Sequence, residues 1–204
     1  MDSSEPKPLI LSGDLESFFK EEVSDASSKI GVSIPETIEY YLVNLLCEYS
    51  SRQVEPLHSD EPLAFMYKRA LEATTLEQMS LLKDLGDQSL YLAGFFEEYV
   101  CNSLVDTEYY IAMGGQAYSS LRTVVKTKRS GSKVGYLYGE LARTFGDLVG
   151  ILNYVSDTLR RSTGDEGLLK LYARWMDTGC PKLHKELLEQ GLLTSFGLPD
   201  DAVQ

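Results

Sequence analysis

The chain has 204 residues, 43% hydrophobic and 10% aromatic, with a formal net charge of −12 at pH 7. This composition excludes a disordered or fibrous chain, and the length suits one domain around one buried core. The charge repels nucleic acid and anionic membrane, so neither is expected as a partner.

Met1-Asp-Ser-Ser-Glu-Pro-Lys-Pro8 has no basic stretch leading into an apolar run. No later window approaches the roughly 18 apolar residues that a spanning helix needs, so the expected address is the cytoplasm. Cys47, Cys101 and Cys180 are odd in number, widely spaced and without a Cys-x-x-Cys pair. That pattern suits neither a disulfide framework nor a zinc site, and small apolar core positions are the simplest use of Cys47 and Cys101.

Apolar residues recur at spacings of three and four throughout, which predicts an all-α, single-domain bundle of about seven or eight helices. Residues 13–196 form the expected domain, with disordered tails over 1–12 and 197–204. The first helix follows Gly13 and aligns Leu15, Phe18, Phe19, Val23 and Ala26. The second is expected to open on the capping-box pattern Ser33-Ile-Pro-Glu36 and to carry Ile38, Tyr41, Leu42, Leu45, Leu46 and Tyr49 on one face.

A polar loop from Ser50 to Asp60 precedes a short helix opened by Pro62. A second box, Thr74 to Glu77, starts the longest expected helix, which holds one phase through Met79, Leu82, Leu85, Ser89, Leu92, Phe96 and Val100, past Gly86. Asp106 is a suitable cap for the next helix, with Tyr110, Met113, Ala117, Leu121 and Val124, and the two form a long central pair. The loop Lys128–Lys133 ends it. One further helix is expected over Tyr136–Leu159, another over Gly167–Asp177, and a last between Pro181 and Gly191.

Leu85-Gly-Asp-Gln-Ser-Leu-Tyr-Leu-Ala-Gly-Phe-Phe96 and Val105-Asp-Thr-Glu-Tyr-Tyr-Ile-Ala-Met-Gly-Gly-Gln-Ala-Tyr118, with the Tyr-Leu-Val-x-Leu-Leu of residues 41–46, resemble a family of small all-helical bacterial proteins of unknown function. The resemblance implies a helical fold and a bacterial source, and assigns no catalytic residue or cofactor.

Glycine within a helix costs about 1 kcal/mol relative to alanine, so Gly94, Gly114 and Gly115 require a reason. A close crossing of Gly94 with Gly114 or Gly115 would supply one. Asp87, Tyr91, Gly94 and Glu98 share one helical stripe; Tyr110, Gly114, Ala117 and Leu121 share another, flanked by Tyr109 and Tyr118. Two outcomes fit: a sealed aromatic core around a hydrogen-bonded Asp87, or a small-molecule pocket using Asp87, Tyr91, Gly94, Tyr110, Gly114 and Tyr118. Glu97, Glu98, Asp106 and Glu108 are further carboxylates at facing helix ends.

Contiguous catalytic signatures are missing. There is no Gly-x-Ser-x-Gly elbow, Walker loop or dinucleotide glycine motif. A ferritin-like di-metal site needs two helical Glu-x-x-His pairs, which His58 in a polar loop and His184 near the last helix do not supply. No cofactor or metal is expected.

Charge is unevenly spread. Residues 1–61 hold thirteen acids against four bases, whereas the 31 residues Tyr109–Gly139 hold no acid and five bases, Arg122, Lys126, Lys128, Arg129 and Lys133. The first functional expectation is therefore a non-enzymatic interaction protein whose basic segment meets an acidic protein or the acidic N-terminal third of a second copy. The alternative is a small-molecule-binding protein or enzyme built on the Tyr/Asp-lined middle.

Overall fold

The computed structural model describes residues 12–51, 61–95, 106–126 and 132–161, together with Lys185 and Leu187. These form seven helices and, among the described residues, no strand. They are α1 (Ser12–Ile30), α2 (Glu36–Ser51), α3 (Leu63–Glu72), α4 (Thr75–Phe95), α5 (Thr107–Lys126), α6 (Ser132–Arg143) and α7 (Phe145–Arg161). The helix expected over 167–177 lies outside the described residues, as do both expected tails except Ser12. Of the last expected helix, Lys185 and Leu187 are helical and Leu187 is buried. Among the described residues no helix is long and apolar enough to cross a membrane.

The ends of the helices follow local chemistry. α1 stops in a Schellman turn: Gly31 has φ +70°, Val32 N–H donates to the Ser27 carbonyl at 3.0 Å and Gly31 N–H to that of Ser28 at 3.3 Å. α2 begins three residues after Ser33. The Pro35 carbonyl accepts from Ile38 and Glu39 N–H at 2.9 and 3.0 Å, so Pro35 and not the expected Ser33 holds the cap position. Thr74 opens α4, its carbonyl accepting from Gln78 N–H at 2.7 Å. At the start of α5, Asp106 Oδ1 accepts from Tyr109 N–H at 2.9 Å, the expected cap.

The single helix expected over Tyr136–Leu159 is instead two. α6 starts earlier, at Ser132, and a turn at Thr144 divides it from α7. Thr144 N–H and Oγ1 both donate to the Glu140 carbonyl at 2.9 Å. A threonine hydroxyl that shares the carbonyl of the preceding turn bends a helix, an effect invisible to apolar periodicity.

α4 and α5, the two longest helices, are the most extensively packed pair. α7 and α3 also lie on α4, α6 lies on α5, and α1 packs on α2 and α7. The sequence reading gave α4 one apolar face, but Leu85–Gly94 is buried without a break. A helix buried all round forces its polar residues to find partners inside the protein.

The end of α4 shows one such solution. Ser156 Oγ and Arg160 Nη2, both from α7, donate to the Phe95 carbonyl at 2.9 and 3.1 Å, and Arg160 also reaches Ser156 Oγ at 2.7 Å. A cation placed on the last carbonyls of a helix satisfies them and complements its dipole. Arg160→Ala is expected to lower stability by about 1–2 kcal/mol in urea unfolding, with Arg160→Lys recovering part of the loss. Equal stability of the alanine variant would remove this clamp from the account.

Candidate functional site

Asp87 sits within the fully buried half of α4 at 3% exposure. Its Oδ1 accepts from two hydroxyls, Tyr41 of α2 at 2.5 Å and Tyr118 of α5 at 2.6 Å. Its Oδ2 pairs with Lys83 Nζ, one turn earlier, at 2.5 Å. The Lys83 ammonium lies 5.9 Å from the centre of the Tyr41 ring. Tyr138 of α6 completes the cluster, stacked on Tyr118 at 5.9 Å and edge-on to Tyr41 at 6.4 Å. One carboxylate thus ties α2, α4 and α5 together, with α6 packed over the rings.

The electrostatics follow from burial. Burial raises the Asp87 carboxyl above its ordinary value, and Lys83, Tyr118 and Tyr41 draw it back without cancelling the rise. Burial opposes the Lys83 ammonium, yet the facing Asp87 outweighs this and leaves it raised. The Tyr41 and Tyr118 hydroxyls are pushed far up by burial and then by the Asp87 charge, so both remain donors.

An acid raised in the fold contributes stability that is fully present below its unfolded value and is lost as pH rises through the folded value. Wild type should therefore gain stability relative to Asp87→Asn as pH falls from neutrality to below about 4. Thermal melts of the two proteins across that range check this. A wild-type advantage that shrinks on acidification would show that the Lys83 ion pair outweighs burial.

Of the six residues expected to line a pocket, the structure brings Asp87 and Tyr118 into contact and disperses the others. Tyr91 stacks between Tyr49 at 4.3 Å and Phe95 at 5.3 Å, and burial pushes its hydroxyl up to about 12. Tyr110 is buried, edge-on to Tyr109 at 5.9 Å. Gly94 does not meet Gly114 or Gly115: a Cβ placed on it would lie 2.6 Å from Leu152 Cβ of α7. A Cβ on Gly114 would lie 2.2 Å from Phe145 Cζ and 2.8 Å from Ser89 Cβ, while one on Gly115 meets nothing nearer than 3.7 Å. Gly94 and Gly114 thus accept bulky neighbours, not each other, and Gly115 accepts none.

The sequence reading missed four residues of this cluster. Lys83 was legible as the cation four positions before Asp87, a spacing that puts both on one helix face. Apolar periodicity places Tyr41 on a helix face and Tyr138 within a helix and carries no signal of a polar role for either. Gly86 carries the same helix-propensity cost as Gly94, and a Cβ there would lie 2.4 Å from the Tyr118 ring. Of the carboxylates at helix ends, Asp106 is used as a cap, Glu108 is exposed, and Glu97 and Glu98 lie outside the described residues, as do His58 and His184.

The basic segment is built differently. Arg122 and Lys126 project from α5 across the glycines of α6: Arg122 Cδ lies 3.0 Å from a Cβ placed on Gly139, and Lys126 Cγ 3.2 Å from one on Gly135. Their stems cover backbone while both residues, like Lys133, stay exposed. On α6 Val134 is 45% and Tyr136 62% exposed, on different sides of the helix, and Tyr136 shares its side with Lys133 one turn earlier. Glu140, the first acid after the run, is hydrogen-bonded by Arg143 at 2.7 Å, which holds its carboxyl below the usual range. Lys128 and Arg129 lie outside the described residues.

Among the described residues no three His, Cys, Asp or Glu side chains converge as a metal set. No family model, curated protein or solved structure matches the chain.

Proposed function

We propose that the protein is a binding module whose α5–α6 face takes an acidic protein surface. The observation that carries this reading is the exposed Tyr136 with Lys133 one turn away on α6, next to the exposed Arg122 and Lys126 of α5, in an acid-free stretch of a chain of net charge −12. Tyrosine and arginine are the side chains most often found at the energetic centres of interfaces, and the cations give the face its choice of partner. The alternative, a ligand site in the Tyr/Asp middle, draws less support, since Asp87 and Tyr118 are buried and spend their polar atoms on each other.

A fluorescein-labelled oligo-glutamate peptide serves as the probe, read by anisotropy. Binding is expected at low salt and should weaken at least about tenfold by about 0.5 M, where screening is effective within a few ångströms. Arg122→Gln, Lys126→Gln and Lys133→Gln combined with Tyr136→Ala should abolish it while the thermal midpoint stays within a few degrees. Equal binding by this variant would end the assignment.

A further inference from the structure

We infer that the partner of the α5–α6 face is a second copy of this chain, presenting the acidic groove formed by α1, α2 and α7. The inference rests on the reading of α5–α6 as a protein-binding face and names its occupant. The groove is a concavity of about 720 Å³ whose lining includes Glu21, Glu22 and Asp25 of α1, Glu39 of α2 and Thr158 of α7, with Lys20 the one cation among its described lining residues. Four carboxylates against one amine in a concave surface complement three cations and an exposed tyrosine on a helical ridge. Within one chain the groove and the ridge lie on different helix pairs, α1 packing on α2 and α7 and α6 chiefly on α5, with smaller contacts of α2 and α7 joining the two sides. Their charge therefore meets between copies, groove to ridge.

Such a contact joins two different patches, isologous if a two-fold axis engages both pairs at once and heterologous if it does not. It closes as a dimer if the groove and ridge of each copy engage at once, and otherwise continues head to tail. Either geometry places opposite charges within a few ångströms, so assembly should be strongest at low ionic strength.

Sedimentation velocity of the full chain tests this with two charge-reversed proteins. One carries Glu21→Lys, Glu22→Lys and Asp25→Lys; the other carries Arg122→Glu, Lys126→Glu and Lys133→Glu. Wild type should associate at about 20 mM salt and dissociate by about 0.5 M. Each reversed protein alone, with like charge on both faces, should sediment as a monomer, and an equimolar mixture should reassociate. Circular dichroism verifies that both fold, and the corresponding Gln variants, which should also be monomeric, replace any that does not.

A wild type that stays monomeric at low salt would overturn the inference, as would assembly that survives ridge reversal or a mixture that fails to reassociate. Oligo-glutamate capture by a monomeric wild type would overturn this inference alone. Loss of both capture and assembly would overturn the reading beneath it as well.

Discussion

Asp87→Ala is expected to lower stability by about 3 kcal/mol, at the lower end for breaking a buried ion pair because Lys83 keeps 41% of its side chain exposed. The loss has several parts. The Tyr118 hydroxyl, in a fully buried residue, and the largely buried Tyr41 hydroxyl lose their common acceptor, and an unsatisfied buried donor costs about 1–3 kcal/mol. Lys83 loses its counter-charge but can turn toward water. Asp87→Asn retains one oxygen for the two hydroxyls and should cost about half as much, whereas Tyr118→Phe removes one donor and should cost about 1 kcal/mol. Urea unfolding monitored by circular dichroism ranks the three. An alanine variant as stable as the asparagine one would mean that the tyrosines find other acceptors and that the cluster does not tie the helices together.

The adjacent glycines should respond in opposite directions. Gly114→Ala drives a methyl group to 2.2 Å from the Phe145 ring and 2.8 Å from Ser89 Cβ. Phe145 is buried in the core and Ser89 Cβ is fixed to the backbone of α4, so neither yields cheaply. Overpacking of about 1–3 kcal/mol should exceed the roughly 1 kcal/mol gained in helix propensity, leaving a net loss. Gly115→Ala meets only ordinary contacts at 3.7 Å and beyond, so it should be neutral or stabilising by up to about 1 kcal/mol. Gly86→Ala should resemble Gly114→Ala and also disturb the Tyr118–Asp87 bond, since its methyl group would enter the Tyr118 ring. Matching thermal midpoints for the 114 and 115 variants would contradict the packing described.

These two sets of residues mark how far the sequence could be read. Helix class, the central pair and the Asp106 cap were legible because apolar period and cap chemistry are local. The division at Thr144 was not, since it depends on which carbonyl a hydroxyl chooses while the apolar pattern runs on through Phe145 and Leu148. Asp87 stood out as a carboxylate among apolar neighbours, and the need for donors was predictable. Which tyrosines supplied them was not, because Tyr41 lies 46 positions away and comes into reach only when α2 packs beside α4. Glycine carried a true signal with the wrong partner: propensity announces that space is needed, but not whether a ring, a leucine or another glycine fills it. The charge asymmetry was wholly legible, and the structure added the exposure of Tyr136 within it.

The most direct test of the proposed function is amide chemical-shift mapping of the isotopically labelled protein during titration with the oligo-glutamate peptide at low salt. Perturbations should gather on residues 119–126 and 133–140, joined by the groove residues 20–25 as the peptide displaces a second copy, with the amides around Asp87 unmoved. Shifts centred on Asp87, Tyr91 and Tyr118, with α5–α6 amides silent at saturating peptide, would contradict the account and restore the Tyr/Asp middle as the binding site.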